Sequence, residues 1–217
     1  EKDRKTDKID SRKLARELSK NNLTGIYIPS EDAQHLRSLC RARFKNRQNI
    51  NRVQNRIKAH LHLNGIKLPE RSEMSHWSAR FISWLESLEF SHQSGRDCLD
   101  IYIEELQQSR LRLLKIIRLL RGYTKQAYLK ATFELLYSVP GIGFVTAITF
   151  FTELMAINRF RSFDHLASYV GLVPSLSSSD EKITVKGMTN RKNFYLRYLI
   201  IESAWVAIRK DPVLLAK

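Results

Sequence analysis

The stretch DCLDIYIEELQQSRLRLLKIIRLL, residues 97–120, decides the fold class. Its apolar residues recur at alternating spacings of three and four, and Arg110 fills the one polar position of the series. The series consists of Leu99, Ile103, Leu106, Leu113, Ile117 and Leu120. Such a heptad repeat predicts a long helix with one apolar seam, which requires a partner helix. Gly122 is expected to end this helix.

The partner helix is predicted upstream, from about Ser30 to about Leu63. Ser30 is a suitable N-cap, acidic residues follow it in the first turn, and Asn64-Gly65 supplies a stop signal. The apolar positions of this helix are Leu36, Leu39, Ile50, Val53, Ile57 and Leu61. The two helices are therefore predicted to form a long antiparallel, coiled-coil hairpin in a mainly α protein.

The second half of the chain has shorter apolar segments. Short helices are predicted at 131–138, 144–155 and 163–170, then a polar loop from Pro174 to Lys186, and a last long helix over 189–210. We therefore predict three parts: a segment 1–29, a helical hairpin or linker over 30–125, and a small helical C-terminal domain over 126–217.

The charge pattern points to a polyanionic partner. Lys and Arg number 37 against 22 Asp and Glu, a net charge of +15. Between Ala33 and Pro69 the chain has nine Lys or Arg and no Asp or Glu, so the predicted first helix lacks i,i+4 ion pairs. Phosphates are expected to supply the negative charge. The basic residues around its apolar stripe are Arg37, Arg41, Arg43, Lys45, Arg47, Arg52, Arg56 and Lys58. A solvated basic face, or a ribosome or membrane-surface protein, is the alternative.

Several protein classes are disfavoured. Cys40 and Cys98 lie far apart in helical stretches, which predicts buried free thiols rather than a disulfide or metal site. The chain contains neither an apolar run of membrane-spanning length nor a secretory signal pattern, so a cytoplasmic protein is predicted. It opens with Glu1 in mid-pattern, and we expect it to be the greater part of a longer protein.

Pro140-Gly141-Ile142-Gly143 lies between two short apolar helices, in the pattern of a helix-hairpin-helix. Glycines permit the tight turn, and amides at the start of the following helix are exposed to an anion. Gly141 and Gly143 are therefore predicted to contact a phosphate through the backbone. A tight turn between helices, with no ligand, is the alternative.

Two further patterns carry possible chemistry. Asp7 and Asp10 stand three residues apart, on one face of a helical turn, where two carboxylates could share Mg²⁺. Ser177-Ser178-Ser179-Asp180 lies in the predicted loop, and a serine nucleophile there would need nearby cations. Candidate cations are Lys182, Lys186, Arg191, Lys192 and Arg197. Each pattern is also common by chance, and alone they indicate only a basic, helical DNA-binding protein.

Ordered motifs along nearly the whole chain resemble the IS110 family of bacterial insertion-sequence transposases. The first motif is Lys5-Thr6-Asp7-Lys8-Ile9-Asp10-Ser11-Arg12-Lys13-Leu14-Ala15, and Leu39 to Arg43 and Asn55-Arg56-Ile57-Lys58 follow it. The resemblance is strongest at Leu136-Tyr137-Ser138-Val139-Pro140-Gly141-Ile142-Gly143, Arg159-Phe160 and Tyr169-Val170-Gly171-Leu172-Val173-Pro174. It ends with Leu196-Arg197 and Glu202-Ser203-Ala204-Trp205.

The resemblance implies a RuvC-like N-terminal domain with four DEDD carboxylates, a coiled-coil hairpin, and a helical C-terminal transposase domain with a catalytic serine. Asp7 and Asp10 match the last two carboxylates, which implies that the first two precede Glu1 and that 1–29 is the end of the RuvC-like domain. Ser179 matches the serine. The resemblance also implies Mg²⁺, DNA, a structured guide (bridge) RNA and a dimer or tetramer as partners. The isolated chain is expected to be catalytically impaired.

The chain departs from the family pattern at two positions. Asp180 replaces the glycine after the serine, which leaves Ser178 as an alternative nucleophile. Lys192 replaces the glycine of a Lys-x-Gly-Asn element, of which Asn193 is retained. A divergent subgroup and a decayed copy are both compatible with these changes.

The sequence therefore predicts an RNA-guided DNA recombinase with Ser179 as nucleophile and Asp7 and Asp10 as metal ligands. The predicted nucleic-acid contacts are Arg41, Arg43, Arg52, Arg56, Lys58, Gly141, Gly143, Lys182, Arg191 and Arg197. The alternatives are a non-catalytic DNA-binding module with an inert serine loop and a structural protein that assembles through the heptad seam.

Overall fold

The computed structural model describes residues 6–23, 25–179, 182–211 and 213. The chain divides into two compact units, Glu1–Ser30 and Glu31–Lys217. The first unit contains helix α1, Asp7–Ser19, which begins with two acidic residues in its first turn and has no buried residue. Acidic residues are favourable at this end of a helix because of its positive dipole.

The second unit is mainly helical, as predicted. Its helices are α2 (Glu31–Leu63), α3 (Ala79–Glu86), α4 (Gln93–Tyr123), α5 (Ala127–Tyr137), α6 (Phe144–Leu154), a 3₁₀ turn (Ile157–Arg159), α7 (Phe163–Val170) and α8 (Phe194–Ala207). Two strands, β1 (Pro174–Ser179) and β2 (Lys182–Met188), pair between α7 and α8.

Helices α2 and α4 pack against each other in antiparallel directions, which confirms the predicted helical hairpin. The Asn46 side-chain amide donates to the Ser109 carbonyl at 2.8 Å, and farther along, His60 Nε2 lies 2.9 Å from the Gly95 carbonyl oxygen. Residues late in α2 thus meet residues early in α4. An apolar seam along both helices makes this packing favourable.

The seam of α4 differs from the predicted one in its middle. Ser109 and Ile116 are buried, whereas Arg110 and Ile117 are only half-buried. Asn46 and Asn49 both donate hydrogen bonds to Ser109, to its carbonyl and to its hydroxyl. This polar layer holds Ser109 inside the interface, and the Arg110 guanidinium instead donates to the Trp77 carbonyl at 2.7 Å. The expected seam positions 110 and 117 are therefore wrong by one residue.

Apolar clusters form at both ends of the helical hairpin. Near its closed end, α3 buries Phe81, Ile82 and Leu85 against α2 and α4. Near its open end, Leu129 of α5 and Ile148 of α6 pack with residues of both long helices. The C-terminal helices are thus attached to the helical hairpin through a shared core, and this core positions the cleft described below.

The two cysteines have different surroundings. Cys40 is buried and Cys98 is partly buried; both are free. Burial raises the pKa of the Cys40 thiol from 9.0 to about 11, and the Glu153 carboxylate adds to the rise. Since the thiolate is the reactive form, burial and the raised pKa both make Cys40 unreactive near neutral pH.

We therefore expect Ellman's reagent at pH 8 to modify Cys98 rapidly and Cys40 only when the protein unfolds. Because the folded-state pKa of Cys40 lies above its ordinary value of 9.0, the contribution of this thiol to stability is complete below pH 9 and is lost as the pH rises toward about 11. A Cys98→Ser variant isolates Cys40. Rapid modification of that variant without denaturant would contradict the burial described here.

Candidate nucleic-acid interface

A cleft of about 620 Å³ lies between α2, α7 and the start of α8. It is lined by Arg41, His165, Ser168, Tyr169, Arg191, Lys192, Asn193, Phe194 and Tyr195. None of these nine residues is an Asp or a Glu, and three of them are permanent cations. The cleft therefore combines positive charge with aromatic rings, the two features with which proteins hold nucleic acids.

A buried carboxylate supports this cleft from below. Glu153 near the end of α6 is 0% exposed and accepts two hydrogen bonds from the Arg41 guanidinium, at 2.7 and 2.8 Å. The Arg41 pKa is raised, chiefly by these hydrogen bonds. Arg37 Nε lies 3.8 Å from the same carboxylate. A bidentate pair of this kind fixes the plane of the guanidinium as well as its position.

The same carboxylate also fixes the start of α8. The Asn193 side-chain amide donates to Glu153 at 2.9 Å, while its oxygen accepts from the Leu196 N–H as the N-cap of α8. The Tyr169 hydroxyl donates to the Glu153 carbonyl at 3.3 Å. We call Glu153, Arg37, Arg41, Tyr169 and Asn193 the Glu153 network. It ties the helical hairpin to α6, α7 and α8.

Sequence reasoning did not single out Glu153. Its signal was present, because Glu153 is the one charged residue in the apolar segment FVTAITFFTEL of α6. A lone acid in such a segment is expected to be buried with a cationic partner. Asn193 was noted as the remnant of a family element, and the network gives it a structural role.

The Gly-Leu-Val-Pro element positions two cations of the cleft. Gly171 ends α7 with φ +87°, and a Cβ at this position would lie 2.3 Å from the Lys192 Cβ and 3.0 Å from the Arg191 carbonyl oxygen. Only glycine permits both the left-handed backbone and this close approach. The segment 191–192 therefore lies directly against the end of α7.

The serine segment forms a β-strand rather than the predicted polar loop. Strand β1 pairs with β2 from Pro174↔Met188 to Ser179↔Lys182. The β-branched run Ile183-Thr184-Val185 favours an extended strand, and this signal was outweighed by the serines in the prediction. Asp180 lies outside the described residues, as does residue 181.

The β-hairpin separates the candidate cations around Ser179. Lys182 is the backbone partner of Ser179 at the far end of the ladder, and Lys186 pairs with Ser175. Arg191 and Arg197 belong to the opposite end, where the Thr189 N–H donates to the Val173 carbonyl at 3.1 Å. Five residues of strand correspond to about 17 Å. Lys182 is thus the predicted cation whose backbone lies closest to Ser179.

The two glycines of the Pro-Gly-Ile-Gly turn have different surroundings. Gly141 has φ +88°, and a Cβ there would lie 2.4 Å from the Ser203 carbonyl oxygen of α8. Gly143 is the exposed N-cap of α6, with no atom within 4 Å of its would-be Cβ. The structure therefore gives Gly141 a packing role and leaves the space around Gly143 open.

Some of the basic residues of α2 form ion pairs with carboxylates of the same chain. Arg56 pairs with Glu105 of α4 at 2.9 Å, just as Arg41 pairs with Glu153. Lys58 lies over the Trp77 ring, and Arg52 is exposed. Arg43 is half-buried, and its pKa is lowered by burial and then by Arg47. Carboxylates of the chain itself thus supply counter-charges to two of these residues, which the local sequence of α2 did not indicate.

The remaining predicted contacts lie at the start of α8. Arg191 is exposed and lines the cleft. Arg197 is half-buried, and its guanidinium donates to the Thr189 carbonyl at 3.4 Å and to the Met188 sulfur at 3.0 Å. Arg197 therefore fastens α8 to the end of β2.

Comparison with known proteins identifies the family. Residues 133–217 match the family described as "Transposase IS116/IS110/IS902 family", and residues 1–65 match a second transposase family, the DEDD transposases of IS110 type. The chain belongs to the IS110 family of transposases. The matched segments contain the residues that line the cleft, the β-hairpin with Ser179, and the whole of α1 and α2.

Two curated relatives of this IS110-family chain carry transposase names. A putative transposase, y4qE, of Sinorhizobium fredii is 28% identical over 201 residues, which cover 93% of this chain and 47% of the relative. The transposase for insertion sequence element IS1111A of Coxiella burnetii is 35% identical over 72 residues, 33% of this chain and 20% of the relative. The chain thus spans about half the length of the first relative, and less of the second.

Asp7 and Asp10 lie within the match to the DEDD model. Both are exposed in the first turn of α1, and their spacing places them on one helical face. Among the residues that the structure describes, no group of three or more His, Cys, Asp or Glu is placed to hold a metal. Carboxylate oxygens are ligands that Mg²⁺ prefers, so Asp7 and Asp10 suit this ion as two members of a larger ligand set.

Within the described ranges, no helix has the length and apolar character needed to cross a membrane.

Proposed function

We propose that this chain is part of an IS110-type transposase that cuts and rejoins DNA as a site-specific recombinase, with Ser179 as the nucleophile. The observation that carries this proposal is the family match over both ends of the chain, which includes Ser179 and Asp7. The placement of Ser179 at the end of a two-stranded ladder, opposite Lys182, also supports it.

In the proposed reaction the Ser179 Oγ attacks the phosphorus of a phosphodiester. The bond from phosphorus to one deoxyribose oxygen breaks, and the phosphate remains on Ser179 as an ester. A hydroxyl from the exchanged strand then attacks this ester, releases the serine and restores a phosphodiester. Asp7 and Asp10 are proposed to hold Mg²⁺, whose charge would favour phosphoryl transfer when the ion is bound. Lys182 and the Gly143 end of α6 are each proposed to contact a phosphate of the nucleic acid.

The partners proposed with this reaction are donor and target DNA, a structured guide RNA, and further copies of the chain. The surplus of cations supports nucleic-acid partners, since 37 Lys and Arg face 22 Asp and Glu. Exposed basic residues of α2, such as Arg52, are proposed to contact the phosphate backbone of the RNA or the DNA.

A Ser179→Ala variant of the complete transposase is expected to lose excised-element junctions in cells by a factor of at least about 10³. Loss of the attacking oxygen removes the covalent step, while DNA binding persists because no phosphate contact is deleted. Ser178→Ala is the matched control, since it deletes the same atom one residue away, and it should form junctions as the wild type does.

Junctions from Ser179→Ala at the wild-type level would exclude this serine as the nucleophile. Loss of junctions only in Ser178→Ala would move the nucleophile by one position. If the wild-type complete protein also formed none while binding DNA, the non-catalytic alternative, a DNA-binding protein that uses the Gly141–Gly143 turn, would be favoured.

A further inference from the structure

We propose that the cleft lined by Arg41, Arg191, Lys192 and Phe194 binds a single unpaired nucleotide, and that Glu153 positions Arg41 for contact with its phosphate. Nucleotide binding here goes beyond the proposed strand cleavage and does not depend on Ser179, which lies at the far end of the β-hairpin from this cleft. The ligand class is an unpaired nucleotide of DNA or RNA.

Charge and volume favour a phosphate-bearing ligand of this size. The lining residues include Arg41, Arg191 and Lys192 and no acid. The Glu153 carboxylate beneath them is fully buried and is shared between Arg37 and Arg41, so it does not cancel the positive charge of the lining residues. A volume of about 620 Å³ falls within the range of small-ligand pockets.

Arg41 is held ready for a second anion. A guanidinium has five N–H donors, and the pair with Glu153 uses two nitrogens in a fork. Its side chain remains 41% exposed, and its Cζ lies 5.0 Å from the centre of the Tyr195 ring. A guanidinium fixed on two sides loses little further freedom when it binds a phosphate, which favours affinity.

The aromatic wall favours a base that is free to leave its stack. Phe194 is 47% exposed, and its ring makes T-shaped contacts with Phe44 at 5.6 Å and Tyr195 at 6.0 Å. A ring that is held by neighbouring rings and is still exposed at the cleft can stack against any base. A base inside a duplex is covered on both faces, so the ligand that fits is unpaired.

The test measures fluorescence anisotropy of labelled oligonucleotides with the 217-residue chain. The probes are dT10, rU10, an abasic oligonucleotide of the same length, and a duplex. Phe194→Leu is expected to weaken dT10 or rU10 binding about tenfold and to leave duplex and abasic binding within about twofold. Phe163→Leu is the matched control, because Phe163 is 79% exposed and does not line the cleft.

The sugar preference identifies the source of the nucleotide. A larger Phe194→Leu effect on rU10 assigns the cleft to RNA, and a larger effect on dT10 assigns it to DNA. An equal loss on the duplex and the single strands, or no loss on any probe, would overturn the proposal. So would competition by polyglutamate that depends on Phe194, since it would indicate an acidic peptide as the ligand.

Positioning by Glu153 has its own readout. Glu153→Gln keeps the size of the side chain and removes the charge that orients Arg41, and we expect dT10 binding to weaken several-fold. The loss should disappear in an Arg41→Ala background, because both changes act on one contact. If Glu153→Gln weakens binding equally in the wild-type and Arg41→Ala backgrounds, Glu153 does not act by positioning Arg41.

If Glu153→Gln does not fold, a second pair of variants tests the phosphate contact. Lys192→Ala should bind dT10 more weakly than Lys210→Ala, the exposed control, and equal binding of the two variants would overturn that contact.

Discussion

Glu153→Ala is expected to lower the free energy of unfolding by about 3 kcal/mol, because it removes one partner of a buried charge network. The substitution leaves Arg41 without its bidentate acceptor and Asn193 without the 2.9 Å contact of its amide. It also leaves space at a fully buried position. Removing one partner of a buried ion pair costs about 3–5 kcal/mol. The loss here should lie at the lower end of that range, since the Arg41 side chain is 41% exposed and can turn toward water.

Urea unfolding followed by circular dichroism measures this loss. Glu153→Gln should fall between the wild type and Glu153→Ala, because the amide can still accept from Arg41 without providing charge. Glu202→Ala is the matched control, an exposed glutamate of α8 whose replacement should change the free energy of unfolding by less than about 0.5 kcal/mol. Equal stabilities for the Glu153→Ala and Glu202→Ala variants would refute the structural role of the network.

Gly141→Ala, a separate variant, is expected to lower the free energy of unfolding by about 3 kcal/mol or more. A non-glycine residue in left-handed backbone, here at φ +88°, costs about 1–2 kcal/mol. The added Cβ would also lie 2.4 Å from the Ser203 carbonyl oxygen and 3.0 Å from the Ala207 nitrogen. Both neighbours are backbone atoms of α8, so the turn or the helix has to move.

Thermal unfolding tests this prediction, with an expected fall in Tm of about 6–12 °C for a protein of this size. Gly143→Ala is the matched control two residues away, because its φ is −87° and its would-be Cβ meets nothing within 4 Å. Its Tm should fall by no more than about 2–3 °C, since alanine is a slightly poorer N-cap than glycine. Similar large falls for both variants would indicate that the turn is sensitive to any added atom.

The helical hairpin could be predicted because its signal is periodic and local. The start near Glu31 and the stop at Asn64-Gly65 agree with the observed α2, Glu31–Leu63. The seam shift at Ser109 could not be predicted, because it depends on hydrogen bonds from Asn46, a residue 63 positions away. The sequence of α4 alone contains no periodic pattern that would predict such a polar layer.

The cleft could be predicted only in part, because its residues come together from distant segments. Arg41 and Glu153 are 112 residues apart, and no local pattern pairs them. The sequence indicated that Arg41 and Arg191 were basic and available to phosphate, but not that a buried acid fixes one of them. The β-hairpin was missed because serines in β1 resemble a loop, although the β-branched residues of β2 favour a strand.

The most direct test of the proposed recombinase maps the covalent step. The complete transposase would be incubated with Mg²⁺ and a DNA substrate whose cleaved strand cannot be rejoined, then digested and sequenced by mass spectrometry. The proposal predicts a nucleotide joined through phosphate to Ser179, absent from Ser179→Ala and present in Ser178→Ala. Cleavage of the DNA with an adduct on another residue, or with no adduct at all, would contradict Ser179 as the nucleophile.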